Sequence, residues 1–417
     1  MRMLVEALGH PERRFKSVLI AGTNGKGSTA ATLASIVQCA GYRCGLYTSP
    51  HLERVNERIR IDGEPIGDED FAKLYFRVDD CASKLITGAH LPGPPSFFET
   101  LTAVAFEAFA EAQVDLAVLE VGMGGRLDAT NVVEPLVSVI TDISLDHTEW
   151  LGETIPLIAR EKAGILRRNG VLVTLPQHPQ ANQTIGEVAA ELDVRGVNAA
   201  EFVPSPNASG LRNRYSLEVM GEQIDVDSPL AGVHQQRNIA LAIAAAVEIR
   251  NSHGFTITPA QIASGIRGTQ WPGRLERVPV PGRADVLMDV AHNPAGAWAL
   301  RAALSALDEA EPRHGKRVLV FGCMKDKAYE EMAQILFPLF DAVIATPVES
   351  PRSATADELL KVAAKTGARA LAAKDGHAAL EMAWREVGDD GLVVVAGSVY
   401  LVGEVRPLLE RVALVVP

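Results

Sequence analysis

A glycine-rich segment that contains one lysine is the first candidate for chemistry in this chain. Glycines allow several backbone N–H groups to point at one anion, and the start of a helix adds positive potential. A lysine in such a segment supplies a charge suited to the β- and γ-phosphates of a nucleotide. This glycine-rich segment with its lysine therefore predicts binding of a nucleoside triphosphate. The segment reads Gly22-Thr23-Asn24-Gly25-Lys26-Gly27-Ser28-Thr29.

The spacing of this segment departs from the common Walker A pattern in two ways. That pattern has four residues before its Gly-Lys pair, whereas only Thr23 and Asn24 separate the two glycines here. It also has Ser or Thr directly after the lysine to reach Mg²⁺, and Gly27 stands there instead. We therefore expect part of the metal shell to come from elsewhere. The alternative, a glycine turn with an exposed lysine, stays open.

Two further side chains follow strand-like runs. Glu120 ends the run 115–120 and precedes a glycine-rich stretch, and His147 comes shortly after the run 137–141. Carboxylates at strand ends of nucleotide-binding sheets meet Mg²⁺ or its water, and neutral imidazole binds metals or accepts protons. Each also has a structural interpretation, as a helix cap, a solvated charge or a packed histidine.

Other candidates are less distinctive. The segment Ser96–Glu99 places two phenylalanines and an acid at a helix start, as a stacking shelf for a flat ring or as core packing with a favourable charge. Asp289, His292 and Ser398 follow strands near the end of the chain and predict a second ligand site facing the first. Lys162, at the end of a predicted helix, is by composition alone a solvated lysine.

Alternating strand-like and helical patterns must position these side chains, and they indicate α/β layers. The run 215–219 and the run 223–226 predict a smaller antiparallel pair. After a hinge at Trp271–Arg274 the alternation restarts as a doubly wound domain of about 140 residues. We divide the chain into residues 1–272 and 273–417. The second unit has no GxGxxG motif after its first strand, so a dinucleotide cofactor is not predicted.

Length and composition restrict the class of protein further. The 417 residues are 47% hydrophobic and 22% charged, which is typical of a globular chain with two or three domains. The net charge of -12 argues against nucleic acid as a partner. Four cysteines without metal spacing, no apolar leader and no long apolar run predict a cytoplasmic protein without a membrane partner.

Taken in order, these motifs resemble those of the dihydrofolate synthase/folylpolyglutamate synthase family, within the Mur-ligase-like amide ligases. The resemblance covers nearly the full length, although the first helix looks short at its N-terminus, which favours an incomplete start. It is carried by the segments 22–29, 48–52, 119–131, 146–148, 162–165, 234–238, 271–274 and 289–294.

The resemblance implies a P-loop NTPase-like N-terminal domain and a Rossmann-like C-terminal domain, with the active site in the cleft. It implies ATP and Mg²⁺, with two ions expected, as cofactors, and carbamylation of Lys162. The substrates would be L-glutamate and dihydropteroate or a reduced folate, and the family is commonly monomeric. The implied ATP site comprises Gly25, Lys26, Gly27, Ser28, Asn238, Arg274 and Asp289.

Other residues take the remaining implied roles. The Mg²⁺ ligands would be Ser49, Glu120 and His147, so that Ser49 supplies the hydroxyl missing after Lys26. In the second domain, His292 and Ser398 would lie near the incoming glutamate, and with Lys26 and Lys162 they form the implied catalytic set. The implied pterin site comprises Ser96, Phe97, Phe98, Glu99, Leu127, Asp128 and Ala129.

Three alternatives accompany this interpretation. A monofunctional folylpolyglutamate synthase would share most of the motifs. A Mur-type ligase acting on a UDP-linked peptide needs a uridine-binding domain, and only about twenty residues precede the glycine-rich segment. A nucleotide-gated binding protein without chemistry would not need every expected metal and phosphate residue. We expect a bifunctional enzyme, because Gly125–Thr130 beside Ser96–Glu99 resembles the bifunctional bacterial members.

Overall fold

A computed structural model describes residues 1–205, 212–311 and 315–415, and the side chains up to residue 410. Two separate sheets organise it. The first has eight strands in the order β4-β3-β2-β5-β1-β6-β7-β8, all parallel except at β3 and β4. Its strands are β1 (Lys16–Ala21), β2 (Cys44–Tyr47), β3 (Ile59–Ile61), β4 (Glu64–Pro65), β5 (Leu116–Glu120), β6 (Val137–Ile140), β7 (Val171–Thr174) and β8 (Arg195–Asn198).

Helices cover both faces of this sheet, which is why its central strands are continuous apolar runs rather than alternating ones. One face packs against α2, α8 and α9, and the other against α1, α3, α4, α6 and α7. These helices and the short α5 are α1 (Arg2–Ala7), α2 (Lys26–Cys39), α3 (Asp68–Thr87), α4 (Phe97–Glu111), α5 (Thr148–Leu151), α6 (Ile155–Ala163), α7 (Pro179–Glu191), α8 (Val233–His253) and α9 (Pro259–Gly268).

The predicted antiparallel pair is confirmed and is longer than expected. Strands β9 (Arg212–Val219) and β10 (Glu222–Ala231) form a hairpin whose buried residues join the core beneath α2, α8 and α9. Met220 and Gly221 make the turn, and both have positive φ.

The second sheet has six strands in the order β11-β12-β16-β13-β14-β15, parallel except for β11. Helices lie on both of its faces. The fold class predicted from the alternation is therefore confirmed. The strands are β11 (Glu276–Val278), β12 (Asp285–Met288), β13 (Arg317–Phe321), β14 (Ala342–Ala345), β15 (Ala370–Ala372) and β16 (Leu392–Ala396). The helices are α10 (Pro294–Ala310), α11 (Tyr329–Leu336), α12 (Ala356–Thr366), α13 (Gly376–Val387) and α14 (Val399–Val415).

The loops that follow strands in the two sheets meet in a cleft. Asn24, after β1, exchanges hydrogen bonds with Asn293, which follows β12 and caps α10. Because both loops lie at the carboxyl ends of parallel strands, the cleft is where ligands of such sheets bind. In the described part of the chain, no helix is long and apolar enough to cross a bilayer.

Candidate functional site

The glycine-rich segment forms a tight loop between β1 and α2. Gly22 has φ 150° and Gly25 has φ 89°, both in the region that favours glycine. A Cβ at Gly22 would lie 1.8 Å from the Thr141 hydroxyl oxygen, and one at Gly25 would lie 2.1 Å from Asn238 Oδ1. Since α2 begins at Lys26, its N-terminal amides point into the loop, as an anion site requires.

Trp271 explains why glycine follows the lysine in this loop. A Cβ at Gly27 would lie 2.7 Å from the Trp271 ring, which comes from the segment between the two sheets. A serine or threonine at this position would therefore displace the indole. The Trp271 ring nitrogen is buried and has no hydrogen-bond partner among the described residues.

Most of the predicted site residues are brought together around one cavity of about 390 Å³. Its walls come from both domains, and its size suits a small-molecule ligand. The predicted residues that line it are Gly25, Lys26, Gly27, Ser28, Ser49, Glu120, His147, Lys162, Asn238, Arg274, Asp289 and His292.

The candidate metal ligands lie on three different loops of the first domain. Glu120 is buried at the end of β5 and accepts a hydrogen bond from the Ser49 amide at 3.1 Å. Burial raises the pKa of Glu120, and the nearby Lys26 opposes this shift. Partial burial, Lys327 and Lys26 lower the pKa of His147 to about 4 against the effect of Asp146, so the imidazole is neutral near pH 7.

These donors suit Mg²⁺ in part. A carboxylate and a hydroxyl are oxygen ligands of the kind that Mg²⁺ prefers, and a neutral imidazole has a free lone pair. Among the described residues, no three His, Cys, Asp or Glu side chains are grouped as a metal site. A metal here would therefore need the Ser49 hydroxyl, and nucleotide phosphates, to complete its shell.

Lys162 differs from the expectation based on composition, which was wrong. Its side chain is buried, and Nζ donates a 2.7 Å hydrogen bond to the carbonyl oxygen of Gly22. Burial, together with the Lys26 ammonium, lowers the pKa of Lys162 to about 7. The last turn of α6 therefore directs at the phosphate loop a buried amine that is partly uncharged at neutral pH.

The three residues expected to complete the nucleotide site make different contacts. Asn238 donates to Gln235 Oε1 at 2.8 Å and closes over Gly25. Asp289 accepts the amides of Leu275 and Ala291 at 3.0 and 2.9 Å, which fixes the connection between domains. Arg274 lines the cavity next to Gly273, to whose carbonyl it donates at 3.2 Å.

The candidate pterin residues on α4 lie behind the cavity rather than in its wall. Ser96 and Glu99 form a capping box, and Glu99 also pairs with the terminal amine of Met1 at 3.2 Å. Phe97 is 61% exposed, with the Arg58 guanidinium 5.4 Å from its ring centroid. Phe98 instead packs tightly on Gly122, where a Cβ would lie 2.6 Å from the ring. The two rings therefore do not form one shelf.

Asp128 organises the glycine stretch after Glu120. One carboxylate oxygen accepts the amides of Gly122 and Met123 at 3.1 Å each, and the other accepts the amide and hydroxyl of Thr130 at 2.9 and 2.6 Å. Burial raises the pKa of Asp128, and these hydrogen bonds oppose the shift. Leu127 is 79% exposed and Ala129 is buried.

The second domain contributes His292 and Ser398 unequally. His292 Nε2 lies 3.7 Å from Asp146 in the cleft, and its Nδ1 is 3.0 Å from the Val290 carbonyl oxygen. Ser398 is buried, and its hydroxyl accepts the amide of Tyr400 at 3.1 Å. Its neighbour Val399, rather than Ser398 itself, lines the cavity.

Sequence reasoning missed a charged cluster that joins the two domains. Lys327, in the loop after β13, lies 2.6 Å from Asp146 Oδ1, and Asn293 donates to Asp146 Oδ2 at 3.2 Å. Burial would raise the pKa of Asp146, but His292 and Lys327 outweigh it and hold that pKa well below its usual range. The sequence shows only that Lys327 lies in the loop after a strand-like run, which does not predict its partner Asp146.

The fold and this site define a Mur-type ligase architecture. The family model described as "Mur ligase middle domain" matches residues 95–246, and "Mur ligase, glutamate ligase domain" matches residues 273–399. The pairing of a phosphate-loop domain with a ligase domain agrees with the cleft described above.

Relatives that match over most of their length identify the family within the Mur-type ligases. A dihydrofolate synthase/folylpolyglutamate synthase of Bacillus subtilis is 35% identical over 421 residues, covering 98% of this chain and 94% of the relative. The enzyme of that name from Escherichia coli is 35% identical over 395 residues, covering 94% and 86%. The chain belongs to the dihydrofolate synthase/folylpolyglutamate synthase family.

Solved structures agree with this assignment. Mycobacterium tuberculosis folylpolyglutamate synthase complexed with ADP has a TM-score of 0.85 at 33% identity, covering 98% of this chain and 94% of that one. E. coli FolC in complex with DHPP and ADP has a TM-score of 0.83 at 31% identity, covering 98% and 92%. The family resemblance read from the motifs is therefore confirmed.

Proposed function

We propose that this protein uses ATP to join L-glutamate to dihydropteroate and to reduced folates. The observation that carries the proposal is the single cavity where the phosphate loop, Glu120 beside Ser49, and His292 of the second domain meet. A cavity lined in this way could hold a nucleotide, a metal and an amino acid side by side. Both the ADP-bound relatives and the FolC complex with DHPP and ADP support it.

The chemistry follows from the weakness of a carboxylate as an electrophile. Its oxygen attacks the γ-phosphorus of ATP, which forms an acyl phosphate and releases ADP. The glutamate amine then attacks the acyl carbon, a C–N bond forms, the amine loses a proton, and the bond to the phosphate oxygen breaks. Two negatively charged reactants must approach each other, so neutralising their charge is the main task of the site.

Several residues of this chain carry out that task. The amides of the phosphate loop and the Lys26 ammonium would contact the phosphates. Ser49, Glu120 and His147 would hold Mg²⁺, two ions being expected, and bound Mg²⁺ would draw charge from the transferring phosphoryl group. His292 would position the glutamate on the other side of the cleft, and Ser398, which accepts the Tyr400 amide, would support Val399 in the cavity wall. Closure around both substrates keeps water from the acyl phosphate.

Lys162 is proposed to carry a carbamate. The neutral amine attacks CO₂, a C–N bond forms, and one proton is released to solvent. A pKa of about 7 leaves much of the amine uncharged at neutral pH, and burial protects the product from water. A carbamate beside Gly22 would supply a negative charge to the metal region in place of a repelled ammonium.

An omission experiment tests the reaction. ADP release is measured with dihydropteroate and glutamate together, and with each left out in turn; we expect release above background only when the pterin substrate is present, and amide product only with both. A UDP-linked peptide serves as the acceptor for the Mur-type alternative. ADP release that ignores the pterin, or nucleotide binding without turnover, would contradict the proposal.

The assignment of two acceptor substrates has its own test at Asp128. We expect Asp128→Ala to lower dihydropteroate ligation roughly tenfold more than folate ligation, because pteroate must sit deeper and needs a polar partner for its ring. Initial rates on both substrates measure this. Thr130→Val is the matched control, since it removes one hydrogen bond to Asp128 but keeps the carboxylate.

Two outcomes would decide against a bifunctional enzyme. Equal losses on both substrates would assign Asp128 only to loop support, and a wild-type chain inactive on dihydropteroate would be a monofunctional folylpolyglutamate synthase. The domain boundary at residue 272, the monomeric state, the absence of nucleic acid and the cytoplasmic location stay predictions.

A further inference from the structure

The loop that carries Ser49 belongs to the first domain but is held by the second. We call residues 48–58 the Ser49 loop. Inside it, the Glu57 carboxylate accepts the amides of Leu52, Glu53 and Arg54 at 2.9, 3.0 and 2.7 Å. These three hydrogen bonds make the loop compact. Its far end contacts α14 of the second domain.

Leu52 is the apolar part of this contact. It packs against the second-domain core cluster that contains Val290 and Val402. The approach of the backbones is close, because a Cβ at Gly403 would lie 2.0 Å from the Leu52 carbonyl oxygen. Only glycine fits at this point of α14.

Arg406, one turn further along α14, is the polar part. Its Nη1 lies 2.8 Å from Glu53 of the Ser49 loop, and its Nε lies 3.2 Å from Glu276 at the start of the second sheet. Glu276 in turn accepts the amide of Gly273 at 2.8 Å. One guanidinium thus ties the loop to the connection between the domains.

We infer that Leu52, Gly403 and Arg406 form an interdomain clasp that positions Ser49 as a metal ligand. The reason is that one loop makes both contacts: the Ser49 amide donates a 3.1 Å hydrogen bond to Glu120, and Leu52 and Glu53 of the same loop are held by the second domain. The first domain also holds the loop, because the Thr48 amide donates to the Arg58 carbonyl oxygen at 3.0 Å, so release by α14 would loosen the position of Ser49 relative to Glu120 and weaken the metal site. The inference rests on the metal assignment made under the proposed function, and Arg406 acts as a positioning residue.

Hydrogen exchange of the full-length, ligand-free chain tests the clasp directly. Arg406→Ala is expected to speed exchange of residues 48–58 by about three- to tenfold, as loss of partly buried ion pairs permits more frequent local opening. Arg283→Ala is the matched control, because that arginine pairs with Glu381 and Trp384 within the second domain. The control is expected to leave these residues unchanged.

Binding of Mn²⁺ in the presence of ADP, followed by its electron paramagnetic resonance signal, gives the second readout. We expect Arg406→Ala to weaken Mn²⁺ binding by a similar factor while ADP binding without metal stays unchanged. Gly403→Ala should have the same two effects through its clash with Leu52. If that variant does not fold, Arg406→Ala alone decides.

The inference requires both faster exchange of residues 48–58 and weaker Mn²⁺ binding. Unchanged exchange, or faster exchange with unchanged Mn²⁺ affinity, would overturn the inference. Neither measurement needs turnover. If Arg406→Ala shows both faster exchange and weaker Mn²⁺ binding but the wild type fails the ligation assay, the proposed substrates are refuted and the clasp is not. A wild-type chain that binds no Mn²⁺ with ADP would refute the metal assignment and the clasp's role together.

Discussion

Lys162→Ala is expected to lose about a hundredfold to a thousandfold of ligase activity while the fold is retained. The substitution removes the group proposed to carry the carbamate, and with it the negative charge that would face the metal region. Small carboxylates such as formate are expected to restore part of the rate, because they fit the space left by the side chain. Steady-state rates with and without formate measure both effects.

Lys374→Ala is a matched control, since that lysine is 82% exposed and pairs with its neighbour Asp375. Density for a bare amine at Lys162, in a crystal grown with Mg²⁺, nucleotide and bicarbonate, would contradict the proposal. So would a Lys162→Ala variant with full activity.

The pH dependence follows from the same lysine. Below its pKa of about 7 the amine is an ammonium and cannot attack CO₂, so the carbamate fraction falls as pH drops through 7. Ligase activity is therefore expected to fall below pH 7, and added bicarbonate is expected to make this loss smaller.

Glu120→Ala and His147→Ala are expected to abolish ligation nearly completely, by about a thousandfold each. Glu120 is the carboxylate next to Ser49, and His147 lines the same cavity from the loop between β6 and α5. Neither side chain is part of the apolar core, so we expect thermal midpoints within a few degrees of the wild type.

Glu187→Ala is the control for these variants, since Glu187 is exposed on α7 and pairs with Arg160 at 3.5 Å. Rates are measured at saturating Mg²⁺, and Mn²⁺ binding is measured in parallel. Near-wild-type turnover of either variant would remove that residue from the metal site.

The sequence predicted those parts of the fold that depend on local pattern. The runs 115–120 and 137–141 agree with strands β5 (Leu116–Glu120) and β6 (Val137–Ile140) to within one residue, because a buried parallel strand is a continuous apolar run. Strands of two or three residues, such as Glu64–Pro65 and Ala370–Ala372, were not predicted, because such short stretches have no periodicity. They depend on pairing with a longer neighbour.

The site residues likewise divide into those that a local pattern predicts and those that it does not. The glycine loop and the strand-end acid Glu120 could be predicted, because backbone geometry and sheet edges determine what they do. The burial of Lys162 could not be predicted from composition alone, and the pairing of Lys327 could not be predicted either. Both depend on elements far away in the chain. For Asp128 the structure shows a role in loop support, and contact with a pterin stays a prediction.

The contact between Gly27 and Trp271 has a consequence for how this family varies. Since a Cβ at residue 27 would meet the indole at 2.7 Å, a larger residue at one position requires a smaller one at the other. The two positions are separated by most of the first domain, yet they are expected to covary among homologues. A lineage that regained the Walker A serine at residue 27 would first have to lose the tryptophan.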